Sequence, residues 1–463
     1  MKFLSSPWKS RSLLEQVCVC ALIVLTIIGA PLVAAWFGVK AGAGLLIANT
    51  FATPSNVMRK VARRLVNNTV FASNGANRSY DDQYRLHGVK QGDTVTARLP
   101  QRYELTIGAV MNPTPLTDQT VQIKITDQSN VGFEYDSWAA TLEVDDYMER
   151  YGAPAVDLLI NNVDYTGLAR MYKQVSNCKG TPGVVPGSTG TLPQAANQPY
   201  LDAVTELFDG AAPDPYNAFL SANMHAYLAN ANVAVFNPSA FISAMFRKGQ
   251  FGNDALGIAK WFKTQNIATH TVGALGGTPL VSGAGQSGAA ITINGQGAAI
   301  INGYFLEGDN ISFAGVYSIN PLTHASTGRL KQFTVTADTA APATTAFSVP
   351  ITPSLIASGP FANCTATPAN GAVVKAFGSA TAYAGVATPQ GIIGHKDAFA
   401  LVMADLVLPK GLWVSERISN AKLGISIRML KDHDIINDIS PARLDTAHGW
   451  KAIRQELACR VCS

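Results

Sequence analysis

Charge is what this sequence has least of. Asp, Glu, Lys and Arg make up 14% of its 463 residues, against about 25% in an ordinary soluble domain. Gly, Ala, Thr, Ser and Asn fill the shortfall around an ordinary 47% hydrophobic fraction, which describes a β-rich chain with a weakly charged surface. The excess of base over acid is also small. Thirty-five Lys and Arg against 31 Asp and Glu leave +4, too little over this length for a dedicated nucleic-acid groove. The six cysteines, Cys18, Cys20, Cys178, Cys364, Cys459 and Cys462, follow no regular spacing. That excludes a disulfide-stapled miniprotein and points to folding in a reducing compartment. A phosphate loop is missing too, because Gly187-Ser188-Thr189-Gly190 has no lysine and no strand-to-helix setting. Gly285-Gln286-Ser287-Gly288 is one residue short of a nucleophile elbow, which argues against serine-hydrolase chemistry.

What is present begins with an apolar leader. After Lys2, Lys9 and Arg11, residues 17–39 carry no charge and are long enough to cross a bilayer, although Gly29 and Pro31 interrupt them. Residues 1–48 therefore read as a signal, an anchor or a mis-set start. From Asn49 the composition is that of a soluble domain, with a helical pattern through Val57, Val61, Leu65 and Val66 whose outer face carries Arg59, Lys60, Arg63 and Arg64. Residues 94–99 and 121–125 alternate as strands. Pro154 and the stripe Val156, Leu159, Ile160, Val163 and Met171 predict a helix over 154–173. Further helices are expected over 200–208 and 216–228, then a short strand at 233–236 and a helix capped by Asn237-Pro238.

The sharpest shift in composition spans 269–381. These 113 residues hold six charged side chains, Glu307, Asp309, Arg329, Lys331, Asp338 and Lys375, and fifteen glycines, with six short β-like runs between turn residues. Such a pattern predicts a small barrel or sandwich inserted into a mixed α/β host. The resulting map is a leader over 1–48, a core over 49–268, an inserted β domain over 269–381 and the rest of the core over 382–463. In that last part 398–407 is apolar, and Leu423, Ile425, Ile427 and Met429 alternate.

Polar clusters are few. Asp432, His433, Asp434 and Asp438 could hold a hard cation or supply an acid and a base. On a strand, Asp432 and Asp434 would share a face and His433 would point away, so a solvated strand end is the simpler reading. Cys459-x-x-Cys462 has the spacing of half a zinc site, without a second pair outside the leader. Asp81-Asp82 and Asp145-Asp146 suit loops or helix starts, and the histidines stand singly. The sequons at Asn67, Asn77, Asn310 and Asn363 matter only in a secreted chain. No catalytic, cofactor-binding or metal-binding residue is assigned, and no enzyme is expected.

Five segments then carry a resemblance: 49–54 (NTFATP), Gly92-Asp93-Thr94-Val95, 260–273 (KWFKTQNIATHTVG), 308–315 (GDNISFAG) and 423–429 (LGISIRM). In order, from about residue 49 to 461, they resemble the P-twenty-two-type major coat (capsid) proteins of tailed double-stranded DNA phages. The resemblance implies an α+β chain with the HK97-like phage capsid fold and an inserted all-β, barrel-like domain. Residues 91–125 would be its extended arm, 154–173 its spine helix and 269–381 its insertion. It implies a subunit that assembles with itself into pentamers and hexamers of an icosahedral shell around the genome, formed in the host cytoplasm and located in the virion. Scaffolding and portal proteins would be partners, DNA would be touched non-specifically, and a membrane would matter only if the leader is real. Two features depart from the family: such coats start near Asn49, and this insertion has few charges for contacts between capsomers. Val95, Leu99, Ile123 and Ile125 are the expected sites of burial between subunits, so that charge at Leu99 or Ile123 would leave a soluble monomer. The alternatives are a secreted or membrane-anchored β-rich surface protein and an encapsulin-like compartment shell.

Overall fold

The computed structural model describes residues 70–79, 94–136 without 104, 106, 107 and 110–117, 153–188, 193–232, 254–377 without 296 and 298, and 383–463 without 413 and 421–424. The leader, the basic face at 59–64, the paired aspartates at 81–82 and 145–146 and the elements expected at 233–238 lie outside the described residues. Among the described residues no helix is long and apolar enough to cross a membrane.

The helix read from the stripe is there, running Ala153–Met171 with a 3-10 turn Tyr172–Gln174 continuing it. Leu159, Ile160, Val163, Leu168 and Met171 are buried on one face, as the spacing of i, i+3 and i+4 positions dictates. This spine lies on a sheet built around the long strand Ile439–Ala452. Asp127–Asp136, Phe399–Ala404 and Ile425–Lys431 all pair antiparallel with it, and Val414–Asn420 pairs with Ile425–Lys431. Gly167 sets how closely helix and sheet approach: a Cβ there would sit 2.6 Å from the Trp450 ring. The indole fills that space, donates to the Val163 carbonyl at 3.2 Å and stacks on Phe71 at 5.1 Å.

A second sheet holds Lys260–Lys263, Asn217–Leu220, Ala387–Gly394, Ala458–Cys462 and Asn177–Gly180 in that order, with Thr269–Thr271 pairing the start of Ala387–Gly394. Its two parallel pairings join distant parts of the chain. Helices Pro193–Asp209 and Ala222–Asn232 contribute to its apolar cover through Tyr200, Leu207, Met224 and Leu228. Here the sequence expectation needs correction. Residues 217–220 form a strand instead of the start of a helix, because Ala218, Phe219 and Leu220 are buried between sheet neighbours. The preceding helix starts at Pro193 and carries Pro199 inside it, its buried side of Ala196, Tyr200, Ala203 and Leu207 outweighing the lost backbone bond.

A third core takes all its buried residues from Val272 to Ala376. Its strands run Leu280–Val281, Gly288–Asn294, Phe347–Leu355, Ser326–Val335, Asn310–Ile319 and Val374–Ala376 in spatial order. The two ends of that sheet meet at a bridge between Leu280 and Val373, which leaves no long open edge. Ile301–Phe305 and Thr339–Ala341 pair separately, so the run expected at 298–301 begins its strand only at its last residue.

The expected arm is a two-stranded ribbon, Thr94–Arg98 against Thr120–Lys124. It does not leave its inner face bare. Ala97 and Ile123 are fully buried on Ala400, Val402 and Ile453 of the same chain, Leu99 and Ile125 pack beside them, and Val95 is 2% exposed. The period-2 pattern was legible, but the surface that covers it belongs to the subunit itself.

Asp164, on the spine, ties the short helix Phe71–Asn74 to this layer. Its carboxylate accepts from the N–H groups of Val70, Phe71 and Ala72 at 2.6, 3.1 and 2.8 Å, the donors a helix start leaves free. Burial pushes the carboxyl up to about 6 although those donors pull the other way. The folded state therefore holds this proton more tightly than the unfolded chain, so the group's stabilisation is full below about pH 4 and is lost as pH rises through 6. Asp164→Ala should cost about 2–4 kcal/mol in urea unfolding by stranding three donors. Asp164→Asn should remove this group's pH dependence, so the stability gap between parent and variant changes between pH 4 and 6.5.

Candidate functional site

The polar cluster at 432–438 organises a turn. The strand ends at Lys431, so the cluster lies at a solvated strand end as the simpler reading had it, and the chain reverses before Ile439. Asp434 accepts from the Ile436 N–H at 3.0 Å and from Asn437 Nδ2 at 2.7 Å. Those two donors, Asn437 first, hold its carboxyl below the usual range. His433 Nδ1 lies 3.1 Å from Ser440 Oγ, and Asp438 takes a positive φ of 52°. This Asx-type bonding fixes the loop and lifts two side chains clear of it: Ile435 is 86% exposed and Ile436 92%. Tyr103 and Leu105, between the two ribbon strands, are also bare, Leu105 at 90%. Among the described residues no three His, Cys, Asp or Glu side chains stand close enough to hold a metal ion. Cys459 and Cys462 cannot form half a zinc site, since strand alternation sends residues three apart to opposite faces.

The second feature is the seat of the β module on the second sheet. Asn177–Gly180 is an edge strand, and an open edge invites pairing with another chain. Side chains of the module cover it. Gln332 accepts from the Cys178 N–H at 2.7 Å and donates to the Cys178 carbonyl at 3.1 Å, while Thr334 donates to Val175 and Asn310 to Ser176. Arg460, 1% exposed in Ala458–Cys462, donates outward to the Gly308 carbonyl at 2.8 Å. Asp309 accepts from Gly273 and Leu306 N–H groups and sits 2.8 Å from His270 Nε2.

Some of the module's few charges also face the rest of its own subunit. Arg329 reaches Glu206 at 3.3 Å and Asp209 at 3.6 Å, and Glu307 pairs with Lys173 at 2.8 Å. Glu206 feels burial first, which would raise its carboxyl, but Lys179 at 2.9 Å together with Lys331 and Arg329 outweighs burial and holds it low. Motif reading missed this seat, because Gln332, Thr334 and Asn310 are ordinary residues whose role comes only from the edge opposite them. Gln332→Ala should leave the Cys178 backbone groups unpaired. We expect a loss of about 1–3 kcal/mol in urea unfolding and faster aggregation of the purified chain by light scattering.

A family model described as "P22 coat protein - gene protein 5" matches residues 102–459. No curated protein matches the chain. Among solved structures, a chain titled Mycobacterium phage Che8 is similar, with 12% identity and a TM-score of 0.45 over 85% of this chain and 91% of that one. The capsid of cyanophage P-SCSP1u is similar at 10% identity and a TM-score of 0.44, over 85% and 88%. The capsid of Myoviridae phage XM1 follows at 8% and 0.39, over 86% and 92%. The family match spans most of the chain, and the spine on its sheet, the second sheet and the β module give the α+β architecture expected of an HK97-like capsid subunit with an insertion. The chain belongs to the P22 coat protein family and is a shell-forming major coat protein of a phage capsid.

Proposed function

We propose that copies of this chain close an icosahedral shell of pentamers and hexamers by burying apolar projections that each subunit cannot cover alone. The observation that carries this reading is the turn at 432–438, where a polar frame holds Ile435 and Ile436 in water at 86% and 92% exposure. Burying such side chains gains about 1.5–3 kcal/mol each, and a closed symmetric shell repeats the gain at every subunit. Tyr103 and Leu105 at the ribbon's connecting segment are the second contact. The low surface charge adds little like-charge repulsion between densely packed copies.

Assembly in the host cytoplasm suits the scattered cysteines. Scaffolding and portal proteins are the partners proposed for setting shell size and the genome's entry point. Packaged DNA would meet a surface of small net charge, which fits contact without sequence preference. The catalytic role left open by the aspartate cluster is not proposed, since those side chains are engaged in holding a turn.

Two variants separate assembly from folding. Joint replacement Ile435→Asp and Ile436→Asp should leave circular dichroism and urea unfolding unchanged, while the chain sediments as a monomer and the parent forms particles in negative stain. Ile123→Asp, which places charge in the ribbon's own buried contact, should unfold the subunit at a cost of more than about 4 kcal/mol. Normal particles from the double variant would reject the turn as an assembly contact.

A further inference from the structure

Two buried thiols meet where the edge strand lies beside Ala458–Cys462. Arg460 is paired with Cys178 and Cys462 with Gly180, so Cys178 and Cys462 are diagonal neighbours on parallel strands. Their sulfurs are 2.8 Å apart, and the residues are 1% and 4% exposed. A disulfide holds sulfurs at about 2.05 Å, so a shift of under about 1 Å separates this contact from a bond. The other described cysteines have different neighbours: Cys364 lies against the Ile356 carbonyl and Cys459 against that of Arg460. Cys178 and Cys462 also line a cleft between the second sheet and the β module, with Arg460, His270 and Gln390 in its wall. The contact with Cys178 and then burial hold the proton on Cys462, with the Arg460 guanidinium pulling the other way, so reaction would be slow and confined to small oxidants.

We propose that Cys178 and Cys462 form a cross-linking site that is a dithiol in a reducing cytoplasm and becomes a disulfide when the protein meets a small peroxide. One thiol, as thiolate, attacks hydrogen peroxide; the O–O bond breaks, a sulfenic acid forms, and the displaced hydroxide takes the released proton as water. The second sulfur attacks the sulfenic sulfur, forming the S–S bond and releasing the other oxygen as water with the second thiol's proton. Two thiols lose two protons and two electrons, and one peroxide becomes two waters. The bond would staple Ala458–Cys462 to the strand that follows the spine. Its recognition needs neither a metal nor a second subunit, and it does not depend on the assembly contacts proposed above.

The test uses the full chain, purified reduced and treated with hydrogen peroxide under native conditions. After quenching and denaturation, free thiols are blocked with N-ethylmaleimide and the chain is digested with trypsin without reduction. Cleavage after Lys173, Lys179 and Arg460 puts Cys178 in peptide 174–179 and Cys462 in 461–463, apart from Cys459. We expect those two peptides joined at a mass 2 Da below their sum, both labels lost together, recovery of both after dithiothreitol, and full labelling of Cys364 and Cys459. Complete labelling of Cys178 and Cys462 after peroxide, separate sulfinic acids at the two positions, or a link from either to Cys459 would overturn the proposal. Cys178→Ser provides a second measurement, in which Cys462 should stay outside any cross-link.

Discussion

The fold hangs on the five residues of Ala458–Cys462. All are buried, and the strand lies inside the second sheet, parallel to Asn177–Gly180 on one side and antiparallel to Ala387–Gly394 on the other. Bringing it beside Asn177–Gly180 closes a loop of more than two hundred residues, whose entropy cost grows only slowly with length and is offset by burial of the strand. Arg460 extends the same strand's influence to the β module through the Gly308 carbonyl. The spine's continuation, the helical cover and the module thus share contacts with one short segment.

Polar and apolar groups divide the work between the inside of the subunit and its neighbours. Arg329 and Glu307 of the module pair with Glu206, Asp209 and Lys173 of the same chain, and its amide and hydroxyl side chains cover one edge of the second sheet. Among the described residues the three barest apolar side chains, Ile436, Leu105 and Ile435, sit on projections, the turn at 432–438 and the segment between the ribbon strands, while others such as Phe208 and Leu322 are exposed elsewhere. A tile of this kind resists sheet pairing at that edge, and the contacts proposed above would give it places where a copy gains by binding.

Local chemistry was readable wherever it was periodic. The spine followed from Pro154 and its stripe, and the module's strands from β-branched runs between glycines and prolines. Pairing partners were not readable. The ribbon's inner face looked like a contact between subunits because alternation says that a face is covered without saying by what, and Ala400, Val402 and Ile453 cover it. Residues 217–220 looked helical because a short apolar run fits either structure, and parallel pairing with Lys260–Lys263 decides it. Gly167 and Asp164 carried no motif at all, since one is defined by the Trp450 ring and the other by N–H groups more than ninety residues away. The cluster at 432–438 was found, but the part proposed for it in assembly rests on the two isoleucines between its polar members.

The central claim is that each subunit completes its own core and presents these projections to other copies. Amide hydrogen exchange, compared by mass spectrometry between free subunits and assembled particles, tests it directly. The account predicts that 458–462 and the spine exchange slowly in both states, while 432–438 and the segment between the ribbon strands slow markedly only in particles. Equal exchange of those projections in both states, or protection of 458–462 that arises only on assembly, would contradict it.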